Sequence, residues 1–194
     1  SICELLATKG YTIIGRARES VELTELDNYL KFHNSSSCAI VCDLSQPKQI
    51  NKVADEIVIQ YPSINGIIHN AGIIGPVGNI FTVDESKWDE TLVVNLVSVQ
   101  QLTRILYPAM VNAGRCRVTT ISSGAAVNSL ESWSAYCTSK AGLDMWTRCL
   151  ADEGKRDGIS AVSIAPGIVD TDMQATIRSA DKADFPMVDR FIQF

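Results

Sequence analysis

The chain has no apolar run near the roughly 18 to 20 residues that a bilayer-spanning helix requires. Stretches such as Ile67-Ile68 and Ala161-Val162 end after a few residues, and no signal-like N-terminus precedes them. The expectation is a soluble, cytoplasmic protein with no membrane partner. Basic runs are lacking too. Against 22 acidic residues stand 17 Lys and Arg, for a net charge of −5, so no broad positive surface is available to a phosphate backbone and nucleic acid is not an expected partner. Histidine is scarce: His33 and His69 are the two, and neither has a second ligand at metal-binding spacing. This argues against structural zinc and against Ser/His/Asp chemistry, and no metal site is expected. The six cysteines (Cys3, Cys38, Cys42, Cys116, Cys137 and Cys149) include no CxxC pair and stand mostly in apolar segments. That is the pattern of reduced, buried thiols rather than of a disulfide framework. What is present, 46% hydrophobic and 20% charged residues in a chain of 194, suits one globular domain without a linker or repeat.

Apolar periodicity divides the chain into alternating elements. Ile2, Leu5 and Leu6 recur at helical spacing before Lys9-Gly10, and Tyr11 to Gly15 is a short β-branched run. Helical spacing returns from Val21 to Leu30, a strand pattern from Cys38 to Cys42, and a helix from Gln49 to Gln60 that stops at Tyr61-Pro62. Strand Ile64 to His69 follows, then a loop to Asn79. A long helix is expected from about Glu85 to Val111, disturbed near its end by Pro108, then strand Arg117 to Ile121, helix Ser134 to Glu153 and strand Ser160 to Ile164. Beyond Ala165-Pro166-Gly167 the pattern weakens. Strands alternating with helices imply right-handed crossovers and a parallel sheet covered on both faces, and the nearly all-apolar strands fit that burial.

The turns after these strands are polar or glycine-containing: Arg16 and Arg18, Asp43, Asn70-Ala71-Gly72, Ser122-Ser123-Gly124, and Pro166-Gly167. In an open parallel sheet such turns line the edge where ligands bind. Any one of them alone reads as an ordinary turn; the combination predicts a cleft. Tyr136 and Lys140 lie four apart on an expected helix, so a phenol and an ammonium share one face. A nearby cation stabilises phenolate and draws a tyrosine pKa down from about 10 towards the range of a working acid or base.

Together, Asn70-Ala71-Gly72, Val94-Asn95-Leu96, Ile121-Ser122-Ser123, Tyr136-Cys137-Thr138-Ser139-Lys140 and Pro166-Gly167-Ile168-Val169-Asp170-Thr171 make the chain resemble the classical short-chain dehydrogenase/reductase (SDR) family from Ser1 to about Met173. The stretches Ser122-Ser123-Gly124-Ala125-Ala126, Trp133-Ser134-Ala135-Tyr136 and Ala165-Pro166-Gly167-Ile168-Val169-Asp170-Thr171-Asp172-Met173-Gln174 look most like its sepiapterin reductase and benzil reductase branch. The resemblance implies an α/β fold with a Rossmann-like, doubly wound parallel sheet, and residues 1–194 forming a single NAD(P)-binding domain. It also implies an oxidoreductase acting between C=O and CH-OH. Tyr136 would protonate the carbonyl oxygen, and Ser123 would add a second donor. Lys140 would lower the phenol pKa and hold the nicotinamide ribose, and Asn95 would anchor a water leading from Lys140 to solvent. Ser122 is the rival to Ser123, which is favoured by its 13-residue separation from Tyr136.

For the coenzyme, Gly15-Arg16-Ala17-Arg18 offers arginines and no acid before Glu19, which favours NADPH over NADH, with Arg18 the better-placed clamp and Arg16 second. By the same resemblance Asp43 contacts adenine, Asn70, Ala71 and Gly72 approach the adenosine ribose, and Pro166, Gly167, Val169 and Thr171 lie along the nicotinamide side. The expected substrate is a small ketone, a diketone or a pterin side-chain carbonyl, with Trp88, Trp133 and Met173 as candidate pocket walls. A homo-oligomer, dimer or tetramer, is implied, with the long helices at its interface. In the family a first strand and Gly-rich phosphate loop would precede Ser1 and a last strand would follow the substrate-covering segment; the sheet is therefore expected incomplete, its central strand missing, and the chain is expected to be an internal fragment. Two other readings stay open: a non-catalytic nucleotide-binding protein of the SDR fold, and a nucleotide-sugar epimerase or dehydratase, which shares the Tyr/Lys pair.

Overall fold

A computed structural model describes residues 1–167, 169–182 and 185–192, and its chain forms two compact units, Ser1–Val53 and Ala54–Phe194. The first unit runs α1 (Ile2–Thr8), β1 (Ile14–Ala17), α2 (Val21–His33) and β2 (Cys38–Val41), followed by α3 (Pro47–Gln60), in which the unit boundary falls. Strands β1 and β2 pair in parallel, from Ile14 opposite Cys38 to Ala17 opposite Val41. Strand β1 starts later than the apolar run suggested. Ile13 gives its N–H to the buried Ser37 hydroxyl at 2.9 Å instead of to a strand, so the ladder begins at Ile14 and carries Arg16 inside it. Helix α2 opens on Ser20, whose Oγ accepts from the Leu23 N–H at 3.2 Å, and turns Leu23 and Leu30 inward. Asp27 ties it to β2 by accepting the Ala39 N–H at 2.8 Å.

The second unit holds β3 (Gly66–His69), α4 (Glu85–Leu92), α5 (Ser98–Asn112), β4 (Cys116–Ile121), α6 (Ser134–Glu153), β5 (Ile159–Ile164), α7 (Asp172–Arg178) and α8 (Val188–Ile192). Its sheet is parallel in the order β3-β4-β5, so the described strands form two parallel sheets, of two and three strands. Buried side-chain hydrogen bonds fix helices to strands. Thr120 on β4 meets Thr147 on α6 at 2.9 Å, and His69 on β3 meets Thr103 on α5 at 2.8 Å. Helices α7 and α8 were not legible in the weakened C-terminal pattern.

The single long helix expected over Glu85 to Val111 is in fact two α-helices joined by a π-helical turn, Val93–Val97. A π turn inserts an extra residue into the helical ladder and rotates the side chains around it, and such turns recur at functional sites. Here it carries Asn95 inward to 0% exposure. Helix α6 is amphipathic in the expected way, burying Tyr136, Ser139, Lys140, Leu143 and Thr147 along one stripe. The cysteines are less uniformly buried than expected: none of the six forms a disulfide among the described residues, Cys42 and Cys116 are buried, and Cys149 on the outer side of α6 is exposed.

Candidate active site

Tyr136 and Lys140, one turn apart on α6, are both buried in the second unit, at 7% and 3% exposure. The lysine Nζ stands 5.6 Å from the centre of the tyrosine ring and donates a hydrogen bond to the Ile121 carbonyl, the last of β4, at 2.8 Å. A buried ammonium loses hydration that one carbonyl only partly replaces, and burial lowers the Lys140 pKa to about 8 against an opposing pull from Asp144. Asp144, a further turn along α6, accepts the Ser163 hydroxyl of β5 at 2.5 Å. The phenol of Tyr136 departs from expectation. Burial pushes its pKa up rather than the lysine drawing it down, and a hydrogen bond with the Ser123 side chain pulls it partway back.

Ser123 lies two residues past β4 and caps a short 3-10 turn, Gly124–Ala126, its Oγ accepting the Ala125 N–H at 3.2 Å. Its rival Ser122 instead extends the ladder, giving its N–H to the Ile164 carbonyl at 2.8 Å, and its hydroxyl is buried without a partner among the described residues. Of the two serines, the structure brings Ser123 to the phenol.

Asn95 acts as a clamp. Its Oδ1 accepts the Ile73 N–H at 2.8 Å, and its Nδ2 donates to the Ile73 carbonyl and to the Ser139 hydroxyl, each at 2.9 Å. Ser139 in turn donates to the Tyr136 carbonyl at 2.8 Å. The loop after β3 is thus tied through Asn95 to the helix bearing the Tyr/Lys pair. Gly72 sits in this knot: a Cβ there would lie 3.3 Å from Lys140 Nζ and 3.4 Å from Asn95 Oδ1. Three positions later, Gly75 needs its own lack of a side chain, with φ of +76° and Thr91 Oγ1 2.2 Å from where a Cβ would be.

The remaining expected residues fall in two places. In the first unit, Arg16 lies within β1, half-buried, with Nη1 buried and unpartnered among the described residues, whereas Arg18 is exposed and lines a shallow concavity with Ala17, Glu19 and Ser20. Asp43 accepts both the N–H and the hydroxyl of Ser45 at its Oδ1, at 2.9 and 2.8 Å. In the second unit, Asn70, Ala71, Pro166, Gly167, Val169 and Thr171 are exposed, Gly167 at φ of +80°, and Ile168 lies outside the described residues. Trp88 donates from its indole to the Ser134 hydroxyl at 3.2 Å, and Met173 packs against the aromatic group around Trp133. Among the described residues no cluster could hold a metal ion, and no helix is long and apolar enough to cross a membrane.

The residues missed at the sequence level are those that hold the pair in place. The Ile121 and Ile73 carbonyls carry no side-chain signal. Asp144 does, since it continues the Tyr136, Lys140 stripe at the next i+4 position.

Parallel strands joined through helices, with a buried Tyr/Lys pair and a serine after the middle strand, define a Rossmann-like α/β oxidoreductase. The chain belongs to the short chain dehydrogenase family, whose pattern it matches over residues 1–182, a family of NAD(P)-dependent oxidoreductases. It is 34% identical to the benzil reductase ((S)-benzoin forming) of Bacillus cereus over 99% of this chain and 79% of that protein. To the enzyme of the same name from Bacillus subtilis (strain 168) it is 37% identical over 64% of this chain and 53% of that protein, so it spans about half the latter's length. Among solved structures it superposes on the KRED1-Pglu enzyme with a TM-score of 0.86 and 30% identity, covering 99% of this chain and 80% of that one.

Proposed function

We propose that the protein is an NADPH-dependent carbonyl reductase acting on a small ketone, diketone or pterin side-chain carbonyl, with Tyr136 as general acid. The observation that carries this reading is the buried phenol of Tyr136, hydrogen-bonded to the Ser123 side chain, with the Lys140 ammonium 5.6 Å from the centre of its ring. The names of the Bacillus relatives, which specify benzil and (S)-benzoin, support a carbonyl as the group acted on.

NADPH, when bound, would supply the hydride for the carbonyl carbon and be converted to NADP⁺. The phenol, kept protonated by burial, donates its proton to the oxygen as alkoxide charge develops there, and Ser123 gives a second hydrogen bond to that oxygen. The Lys140 cation supports the phenolate left behind; its single bond to the Ile121 carbonyl leaves it further donor capacity for ribose hydroxyls. Asn95 and Gly72 hold the loop that borders Lys140.

The residues of the first unit fit a 2′-phosphorylated coenzyme. Arg16 has a buried guanidinium nitrogen with nothing to donate to among the described residues, a costly state that an anion would relieve, and Arg18 adds an exposed guanidinium one residue past the strand. Asp43 would meet the adenine, and Val169 and Thr171 the carboxamide. The same reading places the protein in the cytoplasm, where its cysteines stay reduced, and joins copies through α5 and α6, on which Val97 at the entry to α5, Tyr107 and Met145 are exposed.

The test is NADPH absorbance in the presence of ketones, diketones and pterins. Turnover of at least one is expected, and none would overturn the reading. Arg18→Ala and Arg16→Ala should each raise the KM for NADPH by about 10- to 100-fold, the worth of one charge-assisted contact, and leave the KM for NADH within about twofold. Equal losses with both coenzymes would remove the arginines from coenzyme choice.

A further inference from the structure

Trp133 stands at the N-terminal end of α6, three residues before Tyr136, and is 4% exposed. Its indole Nε1 is buried and has no hydrogen-bond partner among the described residues. An indole N–H buried without an acceptor is destabilising, and phenylalanine would fill much of the same space without that penalty. The ring stands edge-on to Tyr136, with centroids 5.8 Å apart at 88°. On its other sides it stacks on Phe185 at 5.1 Å and leans on Phe191 at 5.2 Å, rings contributed by the segment that carries α8. Ile177 and Val188 complete this apolar group at 1% and 4% exposure. The candidate acid is therefore bordered by an aromatic wall containing one isolated hydrogen-bond donor.

We infer that Trp133 selects vicinal dicarbonyl substrates by donating its indole N–H to the carbonyl next to the one reduced; the inference rests on Tyr136 being the acid. Tyr136 and Ser123 take the reacting oxygen, Trp133 takes the adjacent one, and an aromatic substituent of the substrate replaces a phenylalanine ring against the indole. A hydride from NADPH adds to the first carbonyl carbon and the Tyr136 proton to its oxygen, while the second C=O is unchanged, so the product is an α-hydroxyketone. A monoketone of the same shape leaves the indole N–H bare and forfeits this contact.

The experiment pairs benzil with deoxybenzoin, which keeps both phenyl groups and one carbonyl. In protein labelled with ¹⁵N-tryptophan, three indole N–H signals report Trp88, Trp133 and Trp146, and Trp133→Phe assigns the middle one by its loss. Benzil should move the Trp133 signal downfield, and deoxybenzoin should not. In turnover, Trp133→Phe should lower kcat/KM for benzil about 10-fold and leave deoxybenzoin within about twofold, the loss expected for one neutral hydrogen bond. An unmoved Trp133 signal with benzil, the same shift with both ligands, or equal kinetic losses would overturn the inference. Tyr136→Phe separates it from the reading beneath it: turnover should vanish for both substrates while the benzil-induced indole shift persists. Retained turnover in that variant would reject Tyr136 as the acid, and the indole shift would still decide the role of Trp133.

Discussion

Tyr136→Phe is expected to lower kcat/KM for carbonyl reduction by about 10²- to 10⁴-fold, the usual worth of a general acid, with the fold intact. The substitution removes one oxygen and keeps the ring that packs edge-on against Trp133, so circular dichroism and the unfolding midpoint should change little. Activity within a few-fold of the wild type would assign proton delivery to another group. The pH dependence follows from the same pair. Burial raises the phenol pKa, so Tyr136 stays protonated at neutral pH and well above it. Burial lowers the Lys140 pKa to about 8, so the ammonium is charged below that value and loses its charge as pH rises through it. Reduction should therefore hold steady up to about pH 8 and decline above it, the decline following the lysine rather than the phenol. A kcat profile unchanged across that range would show that the lysine charge does not support the developing phenolate, or that bound coenzyme restores the lysine to its ordinary pKa.

That reversal marks where the sequence stops being sufficient. Tyr136 and Lys140 share a helix face by spacing alone, and the helix from Ser134 to Glu153 and the parallel strands were legible because their apolar periods are unbroken. The direction of the phenol pKa was not, because spacing specifies proximity to a cation but not the loss of water around both groups. The π turn at Val93–Val97 was hidden for a related reason: an extra residue in a helical ladder leaves a period that still averages as helical over Glu85 to Val111. Arg16, read as a turn residue, proved to lie within β1 because the Ser37 hydroxyl takes the Ile13 N–H and delays the ladder by three residues relative to the apolar run. Contacts made by main-chain carbonyls, such as that of Ile121 to Lys140, have no sequence signature at all.

Asn95→Ala should be among the most destabilising single substitutions in the second unit, by about 3 to 5 kcal/mol, because it combines a cavity with several unpaired polar groups. Asn95 is fully buried and is the partner of the Ile73 N–H, the Ile73 carbonyl and the Ser139 hydroxyl at once. Alanine fills little of that volume and replaces none of those bonds. Chemical denaturation should show a lower midpoint with an unchanged slope, and a loss under about 1 kcal/mol would mean that the loop after β3 holds its place without the clamp. Catalysis should suffer beyond the loss of folded protein. Gly72, whose missing Cβ leaves room for Lys140 Nζ, belongs to the loop that Asn95 secures, and Ser139 carries the same clamp to the Tyr136 carbonyl. At a temperature where the variant is still folded, kcat should therefore fall about 10-fold or more, because a lysine displaced from the phenol no longer offsets the charge formed in the transition state.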